Sequence, residues 1–69
     1  MSQRKEINEL LIEILPYVSH IEEIKELFNR VNSLEELKEI VNKRLKEEKD
    51  ITKITDYKII LNKISEIMG

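Results

Sequence analysis

The stretch "IEEIKELFNR" at residues 21–30 is followed at residues 34–43 by "LEELKEIVNK", nearly the same text thirteen positions on. Each copy places Ile, Leu, Phe or Val at spacings of three and four, with Glu, Lys or Asn between them. Residues three and four apart share one side of an α-helix, so each copy predicts a helix with a single apolar stripe. Neither can bury that stripe alone, and each therefore needs a neighbour. The expected helices span 20–31 and 34–48, linked only by Asn32 and Ser33. A link that short forces the chain to turn back or cross at once, so the pair is expected as an αα-hairpin or a corner, with a tight αα-hairpin as the leading form. A helical solenoid is excluded, because its unit recurs every 34–47 residues or so and this chain cannot hold three.

Both copies carry a start signal. "SHIE" (19–22) and "SLEE" (33–36) read as capping boxes, with Ser19 or Ser33 capping and Glu22 or Glu36 returning the bond. The stripes are Ile21, Ile24, Leu27, Phe28 and Val31, then Leu34, Leu37, Ile40, Val41 and Leu45.

The same period extends in both directions. A first helix over 2–15 starts at Ser2 as its cap and presents Ile7, Leu10, Leu11, Ile14 and Val18. Pro16 then removes an amide donor and biases Leu15 away from helical backbone. After Leu45 the pattern fades into "KEEKDITKIT" (46–55), which predicts a loop over 49–55. Thr55 or Asp56 would cap a fourth helix over 56–68, with Tyr57, Ile60, Leu61, Ile64, Ile67 and Met68 on one face. A start at Ile51 is the alternative. No segment alternates with period two, so no strand is expected. The fold class is all-α: a small bundle of three to four short amphipathic helices, forming a single domain over 1–69.

The totals narrow the function. At 69 residues with 41% apolar and 38% charged side chains, the chain has the composition of a small folded domain. No apolar run approaches the roughly 18–20 residues needed to span a bilayer. The N-terminal stretch is amphipathic and lacks a small-residue cleavage site, so a cytoplasmic protein is expected. There is no cysteine, which excludes disulfides and thiol chemistry. Ile, Lys and Glu dominate, Ala is absent and Gln occurs once, a bias that fits a thermophilic or archaeal source.

Candidate chemistry is sparse. His20 stands in the first turn of its helix with Glu23 three residues on, but no second His or Cys exists to complete a metal site. It is expected as an exposed residue near a helix start, with no metal and no cofactor. Ser2, Ser19 and Ser33 are better explained by capping than by nucleophilic work, and Ser65 falls beside the core face. The pairs Glu22–Glu23, Glu35–Glu36 and Glu47–Glu48 lie on outward faces, where no burial raises one carboxyl above its partner. One glycine excludes a phosphate cradle, and a chain this small leaves little room for a substrate pocket. No enzyme activity and no small-molecule substrate are expected.

Nucleic-acid binding is the competing class. The middle helices resemble a helix-turn-helix pair, but the reading helix would bring Glu35, Glu36 and Glu39 towards phosphates. Basic residues come later: Lys43, Arg44, Lys46, Lys49 and Lys53, interrupted by Glu47, Glu48 and Asp50. The net charge is −2, so nucleic acid is expected to bind weakly or only within a complex. Some apolar residues fall outside the stripes. Ile12 lies about 130° from its helix's apolar centre, Ile59 nearly opposite the core face, and Tyr17, Ile51 and Ile54 in connecting segments. Such residues on so short a chain raise the expectation of a second hydrophobic surface. The expected function is a non-catalytic interaction module, either self-associating or docking as an accessory subunit on a larger enzyme or nucleoprotein complex. The alternative is a small DNA-binding regulator.

Overall fold

Four helices follow one another with short connections: α1 (Ser2–Ile14), α2 (Ile21–Arg30), α3 (Leu34–Glu47) and α4 (Ile51–Met68). They are seen in a computed structural model that describes residues 2–68, with side chains from Lys5 onward. The cap expected from Ser2 and the position of Gly69 lie outside what is described. Among the described residues there is no strand.

One apolar cluster joins all four helices. Ile7, Leu10 and Ile14 of α1 meet Ile24, Leu27 and Phe28 of α2, Leu34, Leu37 and Val41 of α3, and Tyr57, Ile60 and Ile64 of α4. These are the expected stripes with their ends trimmed. Ile21, Ile67 and Met68 were expected inside but stand 43%, 46% and 46% exposed. Each sits in the first or last turn of its helix, at the edge of the core. Ser65 is likewise exposed. The broadest helix–helix packing is α3 on α4, while α1 packs on α4, α2 and α3. The repeated pair leans on other helices more than on each other, so the link at residues 31–33 works as a corner and not as a hairpin between two helices packed along their length.

Helix ends show which local signals the tertiary structure uses. Pro16 ends α1 at Ile14, and the chain leaves through a turn closed by Tyr17 N–H and Val18 N–H on the Ile14 carbonyl. At α3, Ser33 Oγ accepts from Glu36 N–H at 3.1 Å, as a capping box requires. The returning Glu36 carboxylate reaches one residue further back and accepts from Asn32 N–H at 2.7 Å.

At α2 the expected box does not form. Its N-cap is His20, whose side chain makes no capping bond. The amides of Ser19 and His20 instead both donate to Asp56 of α4, at 2.9 Å each. Ser33→Ala should therefore cost about 1 kcal/mol. Ser19→Ala should stay within about 0.5 kcal/mol. Urea unfolding of the two variants side by side checks this, and equal losses would restore Ser19 as a cap.

α4 begins at Ile51, the alternative start, and not at Asp56. Asp50 caps it, with Oδ1 accepting Thr52 N–H at 2.9 Å and the Asp50 carbonyl accepting Ile54 N–H at 3.0 Å. Glu48 turns the chain into this cap by accepting from the amides of Lys49 and Asp50. The expected loop over 49–55 thus shrinks to residues 48–50. The apolar pattern starts late because Lys53 and Asp56 occupy the stripe that Ile60 and Ile64 continue, and both have polar partners on other elements.

Candidate functional site

Two features stand apart from the packed core: a polar cluster where α2 meets the first half of α4, and a set of exposed apolar side chains. The polar cluster is built by helix period. Thr52, Lys53 and Asp56 are spaced so that all three face the start of α2. Asp56 is 1% exposed, and its two oxygens take the Ser19 and His20 amides. A carboxylate at this position also meets the positive end of the α2 dipole. Lys53 Nζ lies 3.5 Å from Glu23 Oε1.

His20 was expected as an exposed residue, but it is half-buried and its ring is bonded. Its Nε2 lies 2.9 Å from Thr52 Oγ1, and Thr52 O–H donates to Asp50 Oδ1 at 2.7 Å. A hydroxyl has one proton, and here it goes to the carboxylate. Thr52 Oγ1 must therefore accept from His20, which assigns the ring proton to Nε2.

That polarity decides what the cluster can do. A nucleophilic hydroxyl must donate to its base, whereas Thr52 accepts from the imidazole and donates to its own helix cap. The arrangement holds two helix starts together. No group of three or more metal-binding side chains converges among the described residues. No buried side-chain polar atom among them lacks a partner.

Two charged members are shifted in opposite directions. The Thr52 hydroxyl, and after it the Thr52 amide, hold Asp50 below its ordinary value of 3.8. The Glu23 carboxylate, by its charge and then by hydrogen bonding, holds Lys53 above 10.5. A lowered carboxyl contributes stability that is complete above its unfolded value and is lost as pH falls through the folded one. A raised amine contributes stability that is complete below its unfolded value and is lost as pH rises through the folded one. Thr52→Val removes the main cause of the Asp50 shift, so its melting temperature should fall less than the wild type's between about pH 4 and pH 2. Thermal scans across that range check this; parallel acid limbs would show that the Thr52–Asp50 bond is not made in solution.

The apolar residues singled out from sequence divide into two groups. Ile12, Tyr17 and Ile51 are 68%, 68% and 76% exposed. Ile54 and Ile59 are half-buried, and Ile59 packs against the core cluster from the flank of α4. Tyr17 and Ile59 come together, with Asn62, Lys63 and Glu66, in one shallow recess. Ile12 stands on the outer side of α1 and Ile51 at the start of α4, so these residues do not form one patch.

The basic residues differ in exposure. Lys43, Lys46 and Lys49 are exposed, Arg44 is half-buried, and Lys53 is engaged by Glu23. Glu35 and Glu36 occupy the first turn of α3. The polar cluster itself had escaped the sequence reading. Its one available signal was two charged residues, Lys53 and Asp56, on an otherwise apolar stripe. Among the described residues no helix is long and apolar enough to cross a membrane.

Comparison with known proteins places the chain. It matches the MJ1579 family over residues 4–68. It is similar to protein MJ1579 of Methanocaldococcus jannaschii, at 56% identity over 66 residues that cover 96% of this chain and 94% of that one. That relative is archaeal, in keeping with the Ile-, Lys- and Glu-rich composition. No solved structure matches. Similarity that runs almost end to end through all four helices makes the conclusion plain: the chain belongs to the MJ1579 family.

Proposed function

We propose that this protein is a non-catalytic protein–protein interaction module, acting as a homo-oligomer or as a small accessory subunit on a larger enzyme or nucleoprotein complex. One observation carries the reading: Ile12, Tyr17 and Ile51 each hold more than two thirds of their surface in solvent. Single exposed apolar residues are ordinary. Here three of this size stand on 69 residues, with Ile67 and Met68 also half exposed. Energetics support the same reading. A core of this size supplies roughly 3–5 kcal/mol, and burying one further Ile against a partner adds about 1.5–3 kcal/mol before association costs.

A DNA-binding reading has against it the acidic first turn of α3, the helix that would enter the groove. It predicts a mobility shift at about 50 mM salt that weakens steeply as salt rises; the interaction reading expects none.

Light scattering after gel filtration tests the proposal. The expected result is a mass above that of one chain, lowered by Ile12→Lys or Ile51→Lys with helix content unchanged. A strict monomer that also retains no stoichiometric partner on an affinity column would refute it.

A further inference from the structure

The two ends of the α3–α4 pair differ in charge, and each carries exposed apolar surface. These helices run antiparallel. Their link, residues 48–50, reaches about 10 Å at most, too short for a parallel return along a 14-residue helix of about 21 Å, yet they share the broadest interface in the molecule. The start of α3 therefore lies beside the end of α4.

At that end Ile67 and Met68 are each 46% exposed. Ile67 shares a shallow groove with Glu6, Glu9 and Glu13 of α1. Met68 shares another with Glu35 and Glu39 of α3, where Lys38 is the one cation. Among the described residues, the two grooves thus border the apolar pair with five carboxylates and one ammonium.

At the opposite end, about 27 Å away along the 18 residues of α4, Ile51 is 76% exposed. Exposed Lys43, Lys46 and Lys49 precede it. Of the acids nearby, Glu47 is exposed among the lysines, while Glu48 is bonded to loop amides and Asp50 to the cap of α4, which holds these two against the backbone. The start of α4 adds its own positive dipole.

We infer that the protein associates head to tail with a second copy of itself: the Ile51 end of one chain, with Lys43, Lys46 and Lys49, docks on the Ile67–Met68 end of the next, with Glu9, Glu13 and Glu39. This deepens the proposed interaction function and rests on it. Opposite charge selects the pairing and speeds encounter, while burial of Ile51 between Ile67 and Met68 supplies the apolar contact. Each chain keeps one free end of each kind, so the contact is heterologous and continues past the dimer.

Charge reversal tests this directly. One variant carries Glu9→Lys and Glu39→Lys, the other Lys46→Glu and Lys49→Glu; all four positions are exposed, and circular dichroism confirms that each variant is folded. Wild-type mass should rise past the dimer as concentration approaches about 1 mM and fall back in about 1 M salt. Each variant alone should stay monomeric, and a 1:1 mixture should again grow past the dimer, because each end of one variant is opposite in charge to the end it meets on the other. Variants that associate as the wild type does, or a wild type that stops at the dimer, would overturn the head-to-tail contact and leave the interaction function standing. A monomer that also binds no other protein would remove both.

Discussion

Asp56→Ala is expected to remove about 3–6 kcal/mol of folding stability, since each of two hydrogen bonds to a charged acceptor contributes about 1.5–3 kcal/mol. A core of this size supplies roughly 3–5 kcal/mol in total, so the variant should be largely unfolded or close to it at 25 °C. The cause is specific. Asp56 is almost fully buried, and its carboxylate takes the amides of Ser19 and His20, 37 and 36 positions away. Without it two donors at the start of α2 lose their acceptor, and the charge that complements that helix end disappears. Asp56→Asn keeps one acceptor oxygen and should lose about half as much. Urea unfolding of both variants measures this. A loss below about 1 kcal/mol for the alanine variant would mean that water replaces the carboxylate, and that α2 is held by its apolar side alone.

Phe28→Ala is expected to cost about 3–5 kcal/mol by a different route. The ring is the largest fully buried side chain of the core and sits in α2. Its removal leaves a void among apolar side chains that the short helices close only in part. Tyr17→Ala is the control: a comparable ring volume, 68% exposed, which should change stability by no more than about 0.5 kcal/mol. The pair separates aromatic surface that folds the chain from aromatic surface left over. Equal losses would move Tyr17 into the core and weaken the interaction proposal. Both large effects fall on α2, the shortest helix, which packs on α1 and is tied to α4 by Asp56.

Most core positions were legible from the sequence because helical burial has a period. Leu10, Ile14, Leu27, Leu37, Val41, Ile60 and Ile64 recur at three and four, and each is buried. The Ser33 box was legible for the same reason, since its donor and acceptor lie three residues apart. "SHIE" carries the same local signal as "SLEE", yet Ser19 does not cap. A local cap competes with any acceptor that the fold delivers, and Asp56 arrives with two oxygens where Ser19 offers one hydroxyl. The start of α4 was misplaced by the same exchange. Asp56 looks like a cap for its own helix until α2 supplies amides for it to accept, and Asp50 then does the local work. Ile59 looks outward on a wheel drawn around Ile60 and Ile64, but it reaches the core because α4 is enclosed on more than one flank.

The amino-acid order alone determined four amphipathic helices, an all-α class and the apolar face of each, because those properties depend on residues within one or two turns of each other. Tertiary structure decided which helix end each polar group serves, which proton His20 carries, and which apolar residues remain in solvent. Those outcomes depend on partners more than thirty positions apart, brought together only when the stripes have packed, and no local spacing encodes them.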